Sequence, residues 1–225
     1  MASEPLARRL LAEGIGSATL AAAVIGSGIA AERLTDDNAV ALIANTGATI
    51  AALAVLIALL GPLSGAHFNP AVSFVISLCR RLSWRDCAAY TIVQVAGCCL
   101  GAVLAHAMFE LPLLQFSTQA RAGMGQWMAE VIATLGLLLV VLGHRRNEDV
   151  PWLVAGWIGA AYWFTSSTSF ANPAITVARS LTDTFAGIRP ADIPAFIGAQ
   201  IAGALLALLM SRVLFPNDRG KAKRV

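Results

Sequence analysis

The chain has 225 residues, 57% of them hydrophobic and 13% charged, with a net charge of +3 and a mean hydropathy of +0.70. Soluble domains carry about 25% charged residues, so this composition excludes an ordinary water-facing surface and points to lipid as the solvent. The small net charge says little about acidic partners.

A helix crosses the hydrocarbon with about 20 apolar residues, and six stretches qualify. The first spans 8–31, follows Arg8 and Arg9, contains Ala12-Glu13, and is too long for a cleaved leader. The second spans 39–60. The third, 84–108, opens at Trp84 and carries Gln94-Val95-Ala96-Gly97. The fourth, 124–143, carries Ala129-Glu130; the fifth covers 151–167; the sixth, 192–215, carries Gln200-Ile201-Ala202-Gly203. Two further stretches, 63–79 and 166–182, are apolar but short and interrupted by Ser, Pro and Asn. Such backbone survives at membrane depth only inside protein or beside a wet cavity. Both read as re-entrant loops followed by half-helices.

The order Glu, Asn-Pro-Ala, Gln-x-Ala-Gly occurs twice: Glu13, Asn69-Pro70-Ala71 and Gln94, then Glu130, Asn172-Pro173-Ala174 and Gln200. Three spans per half make the halves insert with opposite orientation. The expected architecture is therefore an all-α membrane protein, six transmembrane helices plus two re-entrant half-helices. It forms one domain over 1–225, with inverted halves at about 8–108 and 124–215. Basic residues set the orientation. Arg8, Arg9, Arg80, Arg81, Arg85, Arg145, Arg146, Arg212, Arg219, Lys221, Lys223 and Arg224 fall on one side, which places both termini in the cytoplasm.

Asn is a preferred N-cap and Pro fits the first helical position. Two such starts in opposed loops aim two positive helix ends at one midplane. There Asn69 and Asn172 can donate to a passing oxygen while cations are repelled. Glu13 and Glu130 are ionisable residues inside spans, a functional signal by default. Gln94 and Gln200 are expected to bond across helices beside Gly97-x-x-x-Gly101 and Gly203-x-x-x-Ala207.

Ser64-Gly-Ala-His-Phe-Asn-Pro-Ala-Val72 and Ser169-Phe-Ala-Asn-Pro-Ala174 resemble the aquaporin (major intrinsic protein) family, over nearly the whole chain. The resemblance implies a passive channel for small uncharged solutes, a homotetramer, no cofactor, and a bacterial inner-membrane location. It implies that Glu13 and Glu130 brace the re-entrant loops, and that His67 sits beside the pore; a loop histidine satisfied by backbone groups is the alternative. Counted without gaps from Asn69 and Asn172, the family's selectivity-filter positions are Thr49, Ala160, Ser169 and Ile175. The aromatic, the His and the Arg of a strict water channel are missing there, which implies a wide mouth. Asn172-Pro-Ala-Ile-Thr-Val-Ala-Arg179-Ser resembles bacterial aquaglyceroporins, some associated with arsenic resistance, so arsenous acid joins glycerol, urea and water as a candidate. Arg179 lies four residues beyond Ile175, one turn up the same face. It either reaches back toward the filter or pairs with Asp183, its i+4 neighbour, as a clamp.

Cys79, Cys87, Cys98 and Cys99 stand at no metal-ligand spacing and read as inert thiols. No nucleophile–base pair suggests an enzyme. The competing classes are a secondary transporter, which also uses inverted repeats, and a closed structural membrane protein.

Overall fold

A computed structural model describes residues 4–216; the basic residues Arg219, Lys221, Lys223 and Arg224 lie outside that range. Eight helices follow one another: α1 (Leu6–Leu34), α2 (Asn38–Ser64), α3 (Pro70–Leu78), α4 (Trp84–Met108), α5 (Met124–Gly143), α6 (Val150–Phe164), α7 (Pro173–Arg179) and α8 (Ile193–Leu214). Among the described residues, five segments are long and apolar enough to cross a membrane: α1, α2, α4, α5 and Pro190–Leu214, which holds α8.

The fifth span is shorter than expected. α6 has 15 residues, about 22 Å at 1.5 Å per residue, against a hydrocarbon core of about 30 Å. Residues 165–167, assigned to that span from the sequence, lie outside the helix. At Thr165 the backbone turns extended, with φ −107° and ψ 136°, and its Oγ1 donates to the Ala161 carbonyl. A one-turn 3-10 segment, Asn147–Asp149, precedes α6. α1 and α2 exceed their expected bounds at both ends.

Local chemistry explains the helix starts. The Asp37 side chain accepts the N–H groups of Ala39 and Val40, and Ser83 accepts that of Asp86. Asn69 and Asn172 cap α3 and α7, each followed by Pro at the first helical position. α2 ends at Gly65, whose φ of +90° is left-handed, a conformation Gly adopts without a Cβ clash.

The repeat is visible in the packing. α1 packs chiefly on α4 and α5 on α8, while each half-helix lies against both α4 and α8. Glycines permit these approaches. A Cβ on Gly97 would stand 2.5 Å from the Gly14 carbonyl oxygen, and one on Gly203 would overlap the Val131 carbonyl. The outward faces carry exposed Val55, Leu59, Ile92 and Leu100, as lipid-facing helices should.

Candidate functional site: a lumen between two Asn-capped half-helices

Each loop before a half-helix holds non-glycine residues in the left-handed region. Ala66 and Phe68 have φ of +48° and +47°; Ser169 and Ala171 have +50° and +48°. Such conformations cost of order 1–3 kcal/mol each and persist only where the surroundings over-determine them. The buried carboxylates do this. Glu13 accepts from the Ser64 hydroxyl (2.6 Å) and the His67 N–H (2.9 Å) on Oε1. On Oε2 it accepts from the Phe68 N–H (2.7 Å) and Gln94 (2.8 Å). Glu130 repeats the pattern with the Ser167 hydroxyl, the N–H groups of Phe170 and Ala171, and Gln200. Gln94 and Gln200 also donate to Ser73 and Thr176 of the half-helices. All four carboxylate oxygens are thus taken by two donors each.

At the centre the two asparagines hold the loops together. Asn69 Oδ1 accepts from Ala71 N–H, and its amide donates 2.8 Å to the Ala171 carbonyl. Asn172 Oδ1 accepts from Ala174 N–H, and its amide donates 2.8 Å to the Phe68 carbonyl. One of the two amide hydrogens is spent this way on each side; the second is left for the lumen.

The lumen is a cavity of about 780 Å³ that both asparagines line. At one end its wall includes Arg81, His144, Glu148 and Pro151; at the other Thr49, Tyr162, Ser169, Phe170 and Arg179. α2 contributes Thr49, Leu53, Ile57 and Gly61, and α6 contributes Pro151, Val154, Ile158 and Tyr162. Both series step by three or four residues, one stripe of a helix.

That stripe corrects one expectation. Ala160 does not line the lumen: it is exposed on the outside of α6, two residues and about 200° from Ile158. Tyr162 takes its place, its hydroxyl 3.3 Å from Thr49 Oγ1. Thr49, Ser169 and Ile175 do line the cavity. So does His67, with Nδ1 3.0 Å from Ser73 Oγ and its ring edge against Tyr90. Its ring partner is a side-chain hydroxyl, not the backbone group of the alternative reading.

Arg179 is 2% exposed. Its guanidinium stacks 3.5 Å from the centre of the Phe170 ring, Nε donates to the Ala186 carbonyl, and Nη1 has no partner. The expected clamp to Asp183 is absent. Asp183 accepts instead from the Thr118 N–H and hydroxyl. α7 ends at Arg179, so the i+4 geometry of a continuing helix never forms.

Sequence reasoning missed Tyr162, Phe170 and Arg121. Arg121 also stacks on the Phe170 ring, 5.1 Å from its centre, and donates to the carbonyls of Gly187, Ser167 and Phe185. It lies just before α5, far along the chain from Phe170. His106, given no role, is fully buried and joins Leu113 to Thr182, fixing the loop after α7.

Comparison with known proteins agrees with this geometry. The family model described as major intrinsic protein matches residues 1–160. The chain is 57% identical over 216 residues to the aquaglyceroporin AqpS of Rhizobium meliloti (strain 1021), covering 95% of this chain and 93% of that protein. It is 27% identical over 169 residues to a probable glycerol uptake facilitator protein of Thermotoga maritima, covering 68% and 71%. The X-ray structure of the aquaglyceroporin from Plasmodium falciparum shares the fold, with a TM-score of 0.71 at 20% identity over 94% of this chain and 98% of that one. The chain belongs to the major intrinsic protein family, and it is a membrane channel that passes small uncharged solutes down their gradients.

Proposed function

We propose that this lumen conducts arsenous acid together with glycerol, urea and water. The observation that carries the reading is the lining: apolar walls with a few neutral donors from Asn69, Asn172 and Ser169, acceptor oxygens from the Thr49–Tyr162 pair, and one guanidinium at the Arg179 end. A small neutral polyhydroxylated molecule can trade its hydration for those donors without meeting a free carboxylate. Asn69 and Asn172 form the midplane. Thr49, Tyr162, Ser169, Ile175 and Arg179 form the filter, Tyr162 replacing Ala160. Glu13 and Glu130 brace the loops, each accepting four hydrogen bonds. Neither carboxylate has an oxygen left open to hold a coupled ion, which supports a channel over an ion-coupled carrier.

The chain acts as one domain, as a homotetramer with a pore in each subunit, in a bacterial inner membrane. Arg81, His144 and Glu148 then face the cytoplasm, and Arg179 faces outward. The test is uptake by proteoliposomes of a solute panel: water, glycerol, urea and arsenous acid. The reading predicts that all four enter faster than in empty vesicles. Entry of water alone would overturn it.

A further inference from the structure

We propose that the Arg179 end of the lumen is also an anion-binding site, taking a small planar monoanion of the nitrate or formate class that blocks neutral-solute flux while it is bound. The inference rests on Arg179 serving the lumen, as proposed above, and asks what else its unused charge attracts.

Three observations carry it. First, two donors in the cavity wall are buried and unpartnered: Arg179 Nη1, on a residue 2% exposed, and Ser169 Oγ, on a residue 3% exposed. Second, no carboxylate is ion-paired with the two local cations. Among the described residues, neither Arg179 nor Arg121 makes a salt bridge. The carboxylates packed nearby are occupied: Glu130 by four donors, Asp183 by Thr118, and Asp192 by the Arg121 N–H and by Arg189. Third, Phe170 is shared between the two guanidiniums, at 3.5 and 5.1 Å. A ring face attracts a cation through its quadrupole but removes no charge. The two half-helix N-termini add positive potential farther in.

A neutral solute meets the same donors, yet a charged acceptor makes a hydrogen bond about twice as strong. The anion would therefore dwell where the solute must pass. Arg179 Nη1 and Ser169 Oγ would each donate to one oxygen of it.

The experiment measures glycerol entry into proteoliposomes with sodium nitrate on both faces. Sodium gluconate at equal ionic strength, whose polyol chain is too long for the site, is the reference. Nitrate should slow glycerol in the wild type and gluconate should not. Arg179→Gln, which retains a donor for the Ala186 carbonyl, should need about tenfold more nitrate for the same block, the loss expected for one charge-assisted hydrogen bond. Arg179→Lys should recover part of the block. Arg33→Gln, at an exposed arginine beside Phe109, should be blocked like the wild type. A second readout does not need conduction: nitrate should raise the melting temperature of the wild-type protein in detergent and not that of Arg179→Gln. If glycerol does not enter but this stabilisation holds, the conduction reading fails and the anion site stands. Equal block and equal stabilisation in wild type and Arg179→Gln, or neither effect in the wild type, would overturn the site.

Discussion

Tyr162 and Ala160 sit two residues apart on α6 and face opposite ways, one into the lumen and one outward. Replacing Tyr162 by Ala removes the ring that stands against Thr49, so larger polyols should enter relative to water. Ala160→Phe adds bulk outside the lumen and should leave the ranking of solutes unchanged. Relative permeabilities of glycerol and a five-carbon polyol in vesicles check both; a changed ranking in Ala160→Phe alone would reverse the assignment. The same pair shows where sequence reading stops. Asn69, Asn172, Glu13 and Glu130 were legible because their types and order recur in both halves. The fifth-span filter residue was not, because it depends on how α6 rotates about its axis, and a count from the NPA motifs carries no information about that rotation. Arg121 was illegible for another reason: its place against Phe170 is made by chain folding over a long sequence separation.

At the scale of an element, each re-entrant loop depends on one carboxylate below it. Glu130→Leu would leave the Ser167 hydroxyl, two backbone N–H groups and Gln200 without their acceptor. Each unsatisfied buried donor costs about 1–3 kcal/mol. We therefore expect a large fall in melting temperature, or protein that no longer elutes as one species in detergent. An unchanged melting curve would contradict the bracing role. The helix contacts make a parallel prediction. Gly203→Val would force a side chain into the Val131 backbone, an overpacking worth about 1–3 kcal/mol, whereas Gly198→Val enters open space and should melt near the wild type. Helix existence followed from apolar length, and the half-helices from the Pro and Asn that interrupt it. The early end of α6 did not, because residues 165–167 are as compatible with a helix as with the turn that Thr165 makes through its own side chain.

Across the whole molecule, the inverted repeat requires that the α1–α2 turn and the α5–α6 turn lie on opposite faces of the membrane. Single cysteines at Asp37 and Glu148, both exposed, in a cysteine-free background should react with an impermeant maleimide from opposite sides of right-side-out vesicles. Labelling of both from one side would exclude this topology. The central claim is that neutral solutes cross passively between Asn69 and Asn172, and the most direct measurement is the rate of glycerol entry by stopped-flow light scattering. For wild-type protein the account predicts a rate that rises linearly with the gradient and ignores proton and sodium ionophores. For Asn172→Leu, recovered as a single folded species, it predicts a rate near that of empty vesicles. Saturating, ionophore-sensitive entry, or undiminished entry through folded Asn172→Leu, would contradict it.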